Sequence, residues 1–137
     1  MVKQLLYADM RAAKLWLPVI FWAALILSSS NDRFSSQQSE GWLERLFGRS
    51  VPHAVNVVFR KLAGHALFYG ILGALAWRAD RRIPINLGVV LLVAMTDEVH
   101  QTFTRERSGA VHDVVIDVCA AAIAIWMLRR RAARTSP

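Results

Sequence analysis

The apolar residues of this chain come in long runs separated by short arginine clusters, and the runs themselves contain ionisable side chains. Leu15 to Ser30 (LWLPVIFWAALILSSS) carries no charge, and Leu62 to Trp77 (LAGHALFYGILGALAW) carries only His65. A third run, Ile83 to Thr96, leads directly into Asp97-Glu98-Val99-His100-Gln101. A fourth begins near Val111, contains Asp113 and Asp117, and ends at Met127-Leu128. Helices of a soluble bundle interleave charges every few residues, and these runs do not. The pattern is that of a small multi-span membrane protein. A span needs roughly 20 residues, and the last three runs reach that length only if their polar residues are included. Ionisable groups below the membrane surface follow from that reading.

A length of 137 residues allows one domain, 1–137, too short for two ordinary soluble cores. With 55% hydrophobic residues and a mean hydropathy of +0.32 the chain is not disordered, and the lone Cys119 rules out a disulfide scaffold. The expected fold is all-α, an integral membrane four-helix bundle with spans near 15–30, 60–78, 83–103 and 110–128. The net charge of +7 reads as topology information plus contact with anionic lipid, not nucleic-acid binding.

With four spans, Lys3, Arg11, Lys14, Arg78, Arg81, Arg82, Arg129, Arg130, Arg131 and Arg134 share one side of the membrane. Arg33, Arg45, Arg49, Arg60, Lys61, Arg105 and Arg107 lie on the other. The positive-inside bias puts both termini in the cytoplasm. A cleaved leader competes for the first run, because Ser28-Ser29-Ser30 resembles a cleavage region; a long charged start and the early Pro18 and tryptophans favour a retained span. In the first outer loop, Asn31 to Glu40 reads as coil. Glu40 to Phe47 then sets Trp42, Leu43, Leu46 and Phe47 opposite Glu44 and Arg45, which suits a short amphipathic helix in the outer interface or a cap on the bundle. Pro84 sits near the start of the third span, where proline is tolerated.

Depth links the polar residues. At about 1.5 Å per residue, His65 lies roughly 20 Å from Arg78, Asp97 roughly 21 Å from Ile83, and Asp117 roughly 18 Å from Arg129. Lys61, His100, Gln101 and Asp113 form a layer slightly further out. Matching depths on three helices predict convergence. On the second helix Lys61, His65, Phe68 and Leu72 share a stripe, and Ala66, Gly70 and Ala74 form a small-residue stripe suited to close helix contact. On the fourth, Asp113 and Asp117 share a face with Ala120, Ala121 and Ala124. On the third, Asp97 and Gln101 agree in direction, His100 lies to one side, and Glu98 is about 100° from Asp97.

His65 with Phe68-Tyr69 and Leu72-Gly73, preceded by Lys61, resembles the K-x-x-x-H-x-x-x-Y-x-x-L-G helix of the VanZ-like family. Asp97-Glu98-Val99-His100-Gln101 is similar to that family's D-E-x-H-Q motif, and Arg107 followed by Asp113 and Asp117 to its closing R…D-x-x-x-D segment. Ser28-Ser29-Ser30 matches the small serine patch that follows the family's first span. The chain departs from the pattern at Cys119-Ala120-Ala121, where members often carry an Asn and a Gly. The resemblance covers about residues 15 to 128. It implies a bacterial four-span inner-membrane protein, and a link through the founding member to resistance to the glycopeptide teicoplanin. It also adds Tyr69 to the candidate cluster of Lys61, His65, Asp97, Glu98, His100, Gln101, Arg107, Asp113 and Asp117.

Each of these residues has a plain structural role available, because a buried carboxylate demands a partner and Asp113 and Asp117 could simply pair with Lys61 and Arg107. Ionisable residues inside spans are nonetheless functional hypotheses by default. In a binding module, Lys61, His65 and Arg107 would take a phosphate or carboxylate of a lipid, glycolipid or lipophilic drug, with the acids orienting them. In an enzyme, Asp97, His100 and His65 would do acid–base work, or with Glu98 and Asp113 hold a divalent cation, although no tight H-E-x-x-H spacing is present. A transport path would need polar groups in the inner halves of the helices, which look apolar. Binding is the favoured expectation, with membrane lipids as surroundings and no metal or cofactor; the oligomeric state is not readable.

Overall fold

The structure, a computed structural model, describes residues 2–29, 53–103 and 111–135, with side chains over 13–29, 62–103 and 111–135. Among these residues the fold is all-α, with no strand. Its helices are α1 (Val2–Ser29), α2 (His53–Ala79), α3 (Ile83–Thr102) and α4 (Val111–Thr135). α3 and α4 are long and apolar enough to cross a membrane, and α1 contributes a shorter apolar stretch, Ala13–Ser29. Only 28% of the apolar window of α3 and 22% of that of α4 is buried, so most of both faces away from the protein, unlike the core helix of a soluble domain. Outward-facing apolar side chains occur on every helix: Leu17 and Phe21 on α1, Leu67 on α2, Leu92 and Met95 on α3, Ile123 and Trp126 on α4.

The α2–α3 hairpin is closed by its own sequence. The Asp80 amide makes the last bond of α2, to the Ala76 carbonyl at 2.9 Å. Its carboxylate Oδ1 then accepts from the backbone N–H of Arg82 at 2.8 Å, an Asx-type turn, while the Arg82 guanidinium donates to Oδ2 at 2.6 Å. This doubly held aspartate lies outside the apolar segments, and the arginine beside it keeps its carboxyl below the usual carboxylate range. Pro84 occupies the first turn of α3, where a missing N–H costs no helical bond.

The core joins Val19 and Ile26 of α1, Tyr69 and Leu72 of α2, Val90 and Ala94 of α3, and Ala121 of α4. α2 packs most extensively on α4, and α4 next on α3. α1 is tied to α2 by the Trp22 indole N–H, which donates to the Phe68 carbonyl at 2.9 Å, with the two rings 5.7 Å apart.

Of the described glycines, the one in closest contact with another helix is Gly73, which lies off the small-residue stripe of Ala66, Gly70 and Ala74. A Cβ on Gly73 would sit 2.8 Å from Ala121 Cβ and 2.9 Å from its Cα, so α2 and α4 touch backbone to backbone there. Ala66 is exposed, and a Cβ on Gly70 would meet only the Ala120 carbonyl, at 4.0 Å. The reason is angular: Gly73 lies about 80° round the helix from His65, on the buried face, whereas Ala74 lies about 180° away. The close approach also falls at the segment where the chain departs from the family pattern, with the glycine supplied by α2 and alanine by α4. Three helices outrun the expected spans: α1 extends back to Val2, α2 begins at His53, and α4 continues past Leu128 to Thr135. The amphipathic helix expected at Glu40 to Phe47 lies outside the described residues.

Candidate functional site

Polar side chains gather at one end of the packed faces of α2, α3 and α4. On α4 the buried positions are Asp113, Asp117, Ala121 and Ile125, a strict row of every fourth residue that puts two carboxylates on the inner face. On α3 they are Asn86, Val90, Ala94, Asp97, Glu98 and Gln101. These span an arc of about 120°. His100 lies about 60° beyond Asp97 on the other side of that arc, and its side chain is exposed. It does not join the buried group. Glu98, whose direction the sequence left open, is buried.

Among the described side chains of the cluster, His65 and Asp117 make a short contact between helices, Nδ1 to Oδ1 at 2.8 Å. Asp117 is wholly buried, whereas the His65 side chain keeps 16% of its surface exposed. The imidazole Nε2 makes no hydrogen bond to a described residue. With Asp117 ionised, Nδ1 carries the shared proton and Nε2 is available to a second group. The other Asp117 oxygen, Oδ2, is buried with no hydrogen-bond partner among the described residues.

Asp97 anchors the second half. Its Oδ2 accepts from Gln101 Nε2 at 3.0 Å, one turn along α3, and from the Tyr69 hydroxyl of α2 at 3.4 Å. The Tyr69 contact is long and correspondingly weak. The two halves meet through the rings of His65 and Tyr69, stacked one turn apart on α2 with centroids 6.2 Å apart and planes 7° apart. α2 therefore touches α4 through its histidine and α3 through its tyrosine. Asp113, one turn from Asp117, is buried and lies 3.2 Å from Nε2 of the exposed His112.

The depth argument expected His65, Asp97 and Asp117 to be neighbours, and the structure brings these three together with Tyr69 and Gln101. Lys61 lies in α2, but its side chain is outside the described residues, as is Arg107. Among the described residues no group of three His, Cys, Asp or Glu side chains is arranged to hold a metal ion. Sequence reasoning missed Asn86, which is fully buried near the start of α3 and donates to the Asp80 carbonyl at 2.9 Å. The signal was there: an amide inside an otherwise apolar run. It belongs to the hairpin, far from the cluster.

Against known families, the VanZ/LLP1 model matches residues 15–132, nearly the whole chain. The chain belongs to the VanZ-like family. No curated protein and no solved structure gives a significant match. Family membership together with two helices apolar enough to cross a membrane points to a membrane protein. In this VanZ-like chain the family's motif positions divide by role. His65, Asp97, Glu98, Gln101, Asp113 and Asp117 are the inward-facing polar residues among those described, Tyr69 bridges the His65 and Asp97 halves, and the His100 side chain is exposed.

Proposed function

We propose that this VanZ-like protein is a four-span protein of the bacterial inner membrane, with both termini cytoplasmic. In this reading it binds an envelope lipid, glycolipid or lipophilic antibiotic through the polar cluster, which faces the outer leaflet. The observation that carries it is a buried polar network, from Asp117 through His65 and Tyr69 to Asp97 and Gln101, inside helices whose outer faces are apolar. Burying several ionisable groups in that setting is expensive, and packing alone gains nothing from it. His65 is the member with accessible surface, so an incoming headgroup meets it first. Lys61 and Arg107, at the rim by sequence, would supply charge-assisted hydrogen bonds to a phosphate or carboxylate. The family's link to teicoplanin resistance makes a lipophilic glycopeptide a reasonable probe.

The test is native mass spectrometry of the full chain released from bilayers containing phosphatidylglycerol, with teicoplanin added in a second arm. His65→Gln and Arg107→Gln should each reduce retention of one of these probes at unchanged protein abundance. Equal retention by wild type and both variants would remove the cluster from ligand binding.

A second reading, an enzyme acting on an envelope lipid by acid–base chemistry, is favoured by the His65–Asp117 pair. An imidazole oriented by a buried carboxylate, with its other nitrogen available, is the arrangement a general base needs. The base is then His65 rather than the exposed His100. Mass spectrometry of lipid incubated with purified protein separates the two. A product that disappears in Asp117→Asn while lipid affinity persists identifies catalysis; unchanged lipid leaves binding.

A further inference from the structure

α4 does not stop where its apolar sequence stops. It runs on as helix through Arg129, Arg130, Arg131 and Arg134 to Thr135, so these arginines stand at fixed angles. Ile123, Trp126 and Met127, all outward-facing, fall with Arg130 and Arg134 within an arc of about 100°, on the side opposite Asp117, Ala121 and Ile125. The outward apolar stripe therefore continues directly into two arginines. The Arg130 guanidinium lies 4.0 Å from the centroid of the Trp126 ring, a cation–π contact that fixes it above an indole still 52% exposed. No Asp or Glu lies between Asp117 and Thr135 on α4, and none of the α4 arginines is paired with a carboxylate among the described residues. Arg82, in contrast, is held by Asp80.

We infer that Trp126, Arg130 and Arg134 form a docking stripe for anionic phospholipid headgroups, separate from the polar cluster. This inference rests on the reading of α4 as a membrane span. Rise per residue places Arg130 about 6 Å and Arg134 about 12 Å beyond Trp126 along the helix axis. The headgroup layer on each side of the hydrocarbon is roughly 5–8 Å thick. An indole at the hydrocarbon boundary thus puts Arg130 within the phosphate layer and the Arg134 backbone about 4 Å or more beyond it, a gap that a long arginine side chain spans. Arginine binds phosphate with two parallel N–H donors, and each basic residue near an anionic leaflet contributes about a fivefold preference. The rigid helix and the indole stack reduce the freedom that a lysine on a coil would lose on binding.

The experiment uses the full chain in vesicles of phosphatidylcholine with phosphatidylglycerol, one lipid brominated at a time. Emission from Trp126 is obtained as the difference between each protein and its Trp126→Phe counterpart. Brominated phosphatidylglycerol should quench Trp126 more strongly than brominated phosphatidylcholine. The ratio should fall about fivefold for each arginine removed in Arg130→Gln and Arg134→Gln. It should persist in Arg130→Lys/Arg134→Lys, which keeps the charge, and in Asp80→Asn/Arg82→Gln, which removes an offset pair. Protein that stays in the vesicles through an alkaline wash but shows no phosphatidylglycerol preference, or one unchanged in Arg130→Gln/Arg134→Gln, overturns the stripe. Protein removed by the wash overturns the span reading beneath it.

Discussion

A buried carboxylate is stable only when its charge is met, and two of them here are met differently. Asp117 has His65 at 2.8 Å on one oxygen, and Asp97 Oδ2 accepts from the Gln101 amide at 3.0 Å and from the Tyr69 hydroxyl at the longer distance of 3.4 Å. Removing the Asp117 carboxylate should therefore cost more than removing the Tyr69 hydroxyl. Asp117→Ala strips a buried partner and should destabilise the protein by roughly 3–5 kcal/mol. Tyr69→Phe loses one long hydrogen bond, worth about 0.5–1.5 kcal/mol at most. Thermal unfolding of the two variants in the same detergent checks the order, and equal losses would mean that His65 and Asp117 are not a coupled pair. At the exposed hairpin, Asp80 has a depressed carboxyl, so its contribution is present above the ordinary carboxylate pKa. It is lost only as pH falls through the lower, folded value. The Arg82 amide should hence stay protected from hydrogen exchange at pH values where a free aspartate is already protonated, and Asp80→Ala should remove that protection. Because the pair is exposed, the effect on global stability is small.

At the scale of the helix, the spacing of small residues and the place where helices touch are separate matters. Gly73 meets Ala121 at backbone distance, while Gly64 has nothing within 4 Å of an added Cβ. Gly73→Ala must push α2 from α4 and should cost about 1–3 kcal/mol, only partly offset by the better helix propensity of alanine. Gly64→Ala gains that propensity without a clash and should be neutral or stabilising by up to about 1 kcal/mol. Protein abundance and thermal midpoint of the two single variants test this. A Gly73→Ala protein as stable as wild type would show that α2 and α4 can separate freely. Since His65 and Asp117 ride on the same two helices, about two turns from the crossing on α2 and one on α4, Gly73→Ala should also weaken their contact.

For the whole molecule, the proposed four-span arrangement predicts that 31–58 and 105–110 lie outside the cell membrane while both termini lie inside. Cysteines introduced at Ser36 and Ser108, in a Cys119→Ala background, should react with an impermeant reagent in intact cells. A cysteine at Ser136 should react only after lysis. The opposite pattern would invert the protein and move the polar cluster to the inner leaflet, which would end the outer-leaflet binding reading. Cys119 itself is exposed on α4, so the background substitution touches no core contact.

The helices, their order and the convergence of His65, Asp97 and Asp117 were legible in the sequence. Helical rise and 100° rotation are properties of the backbone, and depth along a span follows from counting residues. The family resemblance was legible for the same reason, being carried by residues at fixed helical spacing. What counting could not supply was which arc of each helix faces inward. That depends on how the four helices rotate against one another, and it was decided by contacts distant in sequence, Gly73 on Ala121 above all. The same rotation turned His100 out and Glu98 in, although both belong to one motif. Charge and periodicity fix which residues a helix can offer; only packing fixes which of them meet.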